Sequence, residues 1–267
     1  MRIPVLTYHA TNISGNDYHT NDHIALRTDL NSLSKLGIKI ISATDLVRWM
    51  KSDLELDSNE KYTVLTFDDG TMLDYRDWQH PLHGFQSSFY NILKSYDDYI
   101  HATSFVIASP NDRKTLEKTC MGGHQIWSDD WWQEAQDSQL ISIENHSWDH
   151  LHKTLNKVSQ INNVKGDFSK IETYEDAEKQ IKQSSEYINS QINNKKTQLF
   201  AYPYGDYNDY LVEEYFPKQQ DEILGAFSCE PKHVSKSSNV WKIPRYMCGL
   251  HWKNNSEFEN ILLENFK

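Results

Sequence analysis

Short apolar runs without helical spacing alternate along this chain with stretches whose hydrophobic residues recur at helical intervals, and that alternation limits the fold more than any other feature. Ile3 to Tyr8, Ile38 to Ile41, Tyr62 to Phe67, Ala102 to Ile107, Leu140 to Ile143 and Gln198 to Ala201 read as buried strands. Ile223 to Ser228 and Val240 to Ile243 complete the series. Between them, Leu26, Leu30, Leu33 and Leu36 mark a helix that Gly37 stops. Ser42 caps a helix through Leu46, Val47 and Met50, with Asp45 suited to its dipole. Phe89 to Leu93 predicts another helix, and Ser128 reads as a cap before the acidic Asp129 and Asp130. Ala177, Ile181, Ile188 and Ile192 mark a long amphipathic helix. Such alternation implies an α/β fold with a mostly parallel sheet or barrel. The 267 residues hold no repeat and no linker long enough for a second domain, so residues 1–267 read as one domain. Residues 153–173 and 228–239 read as surface loops.

Three polar segments fall just after apolar strands: Asp68-Asp69-Gly70, His146-Ser147-Trp148-Asp149-His150 and Tyr202-Pro203-Tyr204-Gly205. In barrel enzymes the C-terminal strand ends form the active face, so the segments are expected to converge there. Neighbouring aspartates at a strand end point in different directions, which lets one ligate a metal while the other faces a reacting water. His146 and His150 are four apart, which on a helical turn puts both rings on one side of the chain. Each segment alone is weak: Asp-Asp-Gly is ordinary turn chemistry, and with twelve histidines two will pair by chance. Their order and combination carry the weight.

Thr66-Phe67-Asp68-Asp69-Gly70, His146-Ser147-x-x-His150 and Tyr202-Pro203-Tyr204-Gly205 together resemble the first three motifs of the polysaccharide deacetylases, the NodB-homology domains or family-four carbohydrate esterases. His101-Ala-Thr-Ser-Phe-Val resembles the strand after the first helix, and Ile126-Trp127-Ser128 the helix start before the His motif. The resemblance implies a distorted (β/α)7-like barrel of the NodB-homology fold. It also implies a divalent metal, Zn2+ first and Co2+ or Ni2+ as alternatives, held by Asp69, His146 and His150. Asp68 is then the general base toward a metal-bound water, and the Tyr204 backbone N–H an oxyanion donor.

The general acid is open. Pro4-Val5-Leu6-Thr7-Tyr8-His9 resembles an N-terminal Tyr-His element of the subgroup acting on poly-N-acetylglucosamine, which points to His9. Leu250-His251 resembles a late Leu-x-His element and makes His251 the alternative acid. Ala201 stands where many relatives carry an Arg that pairs with the catalytic Asp. Ile243-Pro244-Arg245 resembles a late Pro-Arg element, so Arg245 is expected to take that role, although a surface Arg is an equal reading. Thr71 to Tyr99 is longer than expected and holds Tyr75, Trp78, His80, His83 and Phe85, either as part of a substrate cleft or as a lid packed on the barrel. Trp131 and Trp132 read as core between helix and barrel.

The net charge of −11 argues against a nucleic-acid partner and disfavours a strongly anionic substrate. Eight Trp and fifteen Tyr suit a core, and also a cleft that packs rings against sugars. The expected partner is an acetylated saccharide, and the expected reaction metal-dependent hydrolysis of its N-acetyl group. Two alternatives remain: a C–N hydrolase acting on a non-sugar amide with the same fold, and a non-catalytic glycan-binding barrel. Cys120, Cys229 and Cys248 are odd in number and lack CxxC spacing, so free thiols are expected. No window reaches transmembrane length and no signal peptide is visible, which gives a cytoplasmic expectation; a secreted chain whose leader has been removed reads the same.

Overall fold

The structure, a computed structural model, describes residues 1–96, 99–193 and 195–264. Strands β1 (Val5–Tyr8), β2 (Ile38–Ile40) and β3 (Lys61–Phe67) alternate with helices α1 (Asp22–Lys35) and α2 (Ala43–Met50). A hairpin, β4 (Trp78–His80) and β5 (Gly84–Gln86), precedes α3 (Phe89–Lys94). There follow β6 (Ala102–Val106), α4 (Pro110–Cys120), α5 (Trp132–Ser138) and β7 (Ile141–Asn145). A long helix runs through α6 (Tyr174–Ala177), a π turn at Glu178–Lys182 and α7 (Gln183–Gln191). The chain ends with β8 (Leu199–Ala201), α8 (Phe216–Lys218), β9 (Gly225–Phe227), β10 (Tyr246–Met247) and α9 (Asn255–Leu263).

The main sheet is parallel, in the order β10-β1-β3-β6-β7-β8-β9, with β2 added beside β3. Residues 243–247 touch both of its ends: Ile243 bridges Phe227 of β9, and Tyr246 and Met247 pair with Leu6 and Thr7 of β1. One segment thus curls the sheet into a distorted barrel and carries Arg245 between its two edges. The period of two along each strand sorts the side chains. Val5, Val64, Phe105, Leu199, Ala201, Phe227 and Ile243 share one buried cluster with α2, whose Val47 lies against the start of β9 at Gly225. Leu6, Tyr8, Leu65 and Phe67 point the other way, toward α1, α3 and α9. Continuing the inner parity past the strand ends gives His9 and Asp68, the first two site residues.

The strand and helix readings hold in outline, with four corrections. Val240 to Ile243 is not a strand. Pro244 lacks an N–H for a ladder, so only Ile243 bridges and the strand is Tyr246–Met247. Ser128 does not cap α5, which starts after Trp131; its hydroxyl bonds Asp130 instead. Residues 153–173 are not merely a surface loop, because Leu155, Val158, Phe168 and Ile171 are buried while Asp149, Gln160 and Asp176 satisfy the loop's backbone. Finally, α4 has no counterpart among the predicted helices, although Ser109 caps it and Pro110 occupies its first turn. Trp131 and Trp132 are fully buried, as expected, and the three cysteines are free thiols.

Candidate active site

The polar segments meet where β3, β7 and β8 end. Inner parity points Asp68 into the barrel, and Asp69 would face outward were the chain to continue extended. A left-handed backbone at Asp69 (φ 74°) followed by Gly70 (φ 69°) turns the chain back over the mouth. Gly70 is required there, since a Cβ would lie 2.4 Å from Val106 Cγ1. The Asp69 carbonyl accepts from Ile107 N at 3.3 Å and from the Trp127 indole N–H at 3.2 Å. Trp127 is itself set by Glu117, whose carboxylate accepts the N–H groups of Gln125, Ile126 and Trp127 at 2.8–2.9 Å.

His146 and His150 do not share a helical turn; this corrects the expectation from their spacing. Residues 146–151 form an irregular loop after β7, with Ser147 (φ 73°), His150 (φ 61°) and Leu151 (φ 42°) left-handed. Side chains hold this loop in place of helical hydrogen bonds. Ser147 Oγ accepts from His150 N, Asn145 Oδ1 accepts from Ser147 N, and Asp149 accepts from Leu151 N and Ser159 N. The rings still meet, with centroids 4.8 Å apart. Backbone strain concentrated in these segments, and at Tyr204 (φ 61°), is what functional sites commonly store.

One ligand atom each from Asp69, His146 and His150 lies within 4.8 Å of the others. His146 Nε2 and His150 Nε2 stand 3.8 and 3.7 Å from Asp69 Oδ1, near the roughly 3.4 Å between donors on a tetrahedral ion with ~2.1 Å bonds. His146 Nδ1 donates to the Ala201 carbonyl at 2.8 Å, which leaves the Nε2 lone pair free for an ion. His150 Nδ1 is buried without a partner among the described residues. Burial lowers the pKa of both rings, most strongly that of His150, so both are neutral and able to ligate. Two neutral imidazoles and a carboxylate are a donor set suited to a divalent ion of the zinc type.

Asp68 is almost fully buried and bonded bidentately to Arg245, Nη1 to Oδ1 at 2.7 Å and Nη2 to Oδ2 at 2.8 Å. Burial pushes its carboxyl up, but Arg245, then His146 and His9, outweigh it and hold the group well below the usual carboxylate range. Arg245 also bonds Ser228 O and Thr66 Oγ1, and it is not a surface residue. His9 belongs to the electrostatic surroundings of Asp68 and His150, and its Nδ1 is buried and unpartnered among the described residues. Asp22 fixes the start of that loop by accepting His9 N at 2.8 Å. Tyr204 packs its ring 4.5 Å from that of His150, and its backbone N–H has no acceptor among the described residues. His251 lies elsewhere: its Nδ1 accepts Met247 N at 2.8 Å and its ring faces Tyr246.

Asp22, Glu117 and Asn145 are absent from the site expected on sequence, because nothing local marks a carboxylate or amide that orders a distant loop. The Ser109 cap and Pro110 in the first turn are the signals that locate α4 and, with it, Glu117.

No match is found among curated proteins. Three solved structures share the fold over nearly the whole chain. Deacetylase PplD of Streptococcus pyogenes, solved with acetate, is 21% identical with a TM-score of 0.68, covering 98% of this chain and 97% of its own. A de-N-acetylase from Aggregatibacter actinomycetemcomitans is 19% identical at 0.67, covering 98% and 100%. IcaB from Ammonifex degensii is 17% identical at 0.68, covering 98% and 95%. The sequence profile of the family described as polysaccharide deacetylase matches residues 55–216, a span that contains Asp68, Asp69, His146, His150 and Tyr204, and the chain belongs to that family.

Proposed function

We propose that this protein is a metal-dependent deacetylase that removes the acetyl group from an N-acetylated amino sugar within a saccharide. The observation that carries the reading is the meeting of Asp69, His146 and His150 beside a buried Asp68–Arg245 pair at the strand ends of a polysaccharide deacetylase barrel. A divalent ion bound by those three residues supplies Lewis-acid polarisation of the acetyl carbonyl and makes water a nucleophile near neutral pH. Zn2+ suits the donor set best; Co2+ and Ni2+ remain alternatives.

Asp68 takes the proton of the attacking water on a carboxylate oxygen. Arg245 occupies one lone pair on each oxygen and keeps the carboxylate charged and oriented, leaving a second lone pair on each. The Tyr204 N–H donates to the carbonyl oxygen as it gains negative charge. His9 returns a proton to the leaving nitrogen. Its support is its place on the inner parity beside Asp68, whereas His251 has Nδ1 committed to its own backbone.

The test is acetate release from a panel of N-acetylated saccharides by protein reconstituted with zinc, cobalt or nickel. His9→Ala is expected to lose release and His251→Ala to keep it; the opposite pattern refutes the assignment of the acid. Full metal loading without release from any saccharide refutes the reaction.

A further inference from the structure

The long helix before β8 carries a polar stripe on a side that is buried. Asp176, Gln180 and Ser184 recur at intervals of four, which sets them on one face, and each is at most 1% exposed. Ala177, Ile181 and Ile188 beside them pack into hydrophobic clusters. Polar side chains buried this deeply need partners. All three find them between residues 145 and 161, the segment that contains His146 and His150. Asp176 accepts Ile161 N at 2.8 Å. Gln180 Nε2 donates to Asp149 Oδ1 at 2.8 Å and to the Ser159 carbonyl at 3.0 Å. Ser184 Oγ donates to Asn145 Oδ1 at 2.7 Å.

The π turn lies in the middle of this stripe, where Gln183 N donates to Glu178 O, a step of five residues instead of four. Turns of this kind inside helices concentrate at functional sites. The Ile181 carbonyl within it accepts Asn145 Nδ2 at 2.7 Å, and Ser185 Oγ just beyond accepts the same amide at 2.8 Å. The helix thus holds Asn145, the residue before His146, and Asp149, the residue before His150.

Asp149 matters because the turn after it is strained. Its Oδ1 accepts Leu151 N at 2.9 Å and its Oδ2 accepts Ser159 N at 2.5 Å, closing the chain around left-handed His150 and Leu151. Such backbone persists at residues other than glycine only where the surroundings over-determine it. Gln180 supplies that constraint: it donates to the same Oδ1 that takes Leu151 N, from a side chain fixed on a packed helix.

We propose that Gln180 is a positioning residue for the metal centre: through Asp149 it fixes the left-handed turn that brings the His150 ring up to His146 and Asp69. Gln180 itself bonds none of the three ligands among the described residues. The inference rests on the metal-dependent reading of the site, and its test reads zinc binding apart from acetate release.

The experiment measures zinc affinity by competition with a chromophoric chelator, with urea unfolding of the metal-free protein and acetate release alongside. Gln180→Met keeps the bulk of the side chain and removes its hydrogen bonds; zinc affinity should fall about tenfold, the usual effect of losing a partner behind a metal ligand. Gln180→Glu keeps the shape and replaces only the Nε2 donor by an acceptor, and it gives the same reading if the Met variant does not fold. Asp149→Asn should lose at least as much affinity, and adding Gln180→Met to it should cost little more, because both act on one turn. Ile188→Val removes a buried methylene from the same helix and should lower stability while zinc affinity holds, which separates positioning from a loosened helix. Zinc affinity within about twofold of the parent in the Gln180 variants overturns the positioning role and leaves the metal site standing. Losses that multiply in the double variant also overturn it. A parent chain that binds no zinc removes the metal site and this inference together. Weakened zinc binding in the variants of a parent that releases no acetate keeps the inference and removes the deacetylase reading.

Discussion

Removing Arg245 should damage this protein most near neutral pH and less in acid. Asp68 is 4% exposed, and both of its oxygens are bonded to the guanidinium. Its folded pKa is depressed, so the pair stabilises the fold above the unfolded value of about 3.9, and that stability is lost as pH falls through the lowered folded value. In Arg245→Ala, burial, the largest influence on Asp68, loses its main opponent and the carboxyl rises. A charged carboxylate is then buried without its partner, which costs about 3–5 kcal/mol. For a chain of this size that lowers Tm by about 6–20 °C. The loss should shrink toward about pH 5, where Asp68 of the variant takes up a proton and the charge disappears. Urea or thermal unfolding of chelator-treated protein at both pH values reads this directly. Arg245→Lys keeps the charge without the fork and should recover only part of the stability. A variant within about 0.5 kcal/mol of the parent at neutral pH, or a loss that grows on acidification, refutes the reasoning.

Other substitutions probe the supports of the site. Gly70→Ala places a Cβ 2.4 Å from Val106 Cγ1 at a positive φ and should cost at least about 2 kcal/mol in urea unfolding; an unchanged midpoint would contradict the turn geometry. His146→Ala should weaken zinc binding at least about 100-fold in competition with a chromophoric chelator, with little change in metal-free stability relative to that loss. Glu117→Ala frees the three N–H groups that set residues 125–127, and should weaken zinc affinity about tenfold through the Trp127 bond to Asp69. Unaltered affinity would confine Glu117 to stability.

Local pattern makes much of this legible. The strands announce themselves as apolar runs, and their period of two puts His9 and Asp68 on the inward parity. Spacing misleads at His146 and His150, because four residues can close through a left-handed loop as well as through a helix, and the Ser147 and Asn145 side chains that choose the loop have no strict local signature. Ala201 marks a missing cation by its smallness, yet the partner arrives from 177 positions beyond Asp68. Its approach depends on residues 243–247 joining both edges of the sheet, a relation between distant strands that no window of sequence contains. The β4–β5 hairpin shows in the sequence only as unexplained length, since a polar aromatic segment reads equally as lid or cleft.

The central claim is that Asp68 is a base at a metal site formed by Asp69, His146 and His150. The most direct measurement is acetate release from N-acetylated saccharides by zinc-loaded protein and by zinc-loaded Asp68→Asn, with metal content measured on the same samples. Equal zinc in both is expected, with a loss of about 100-fold or more in the variant's rate, the usual effect of removing a general base. Release by Asp68→Asn at the parent rate, with equal zinc, would contradict the claim.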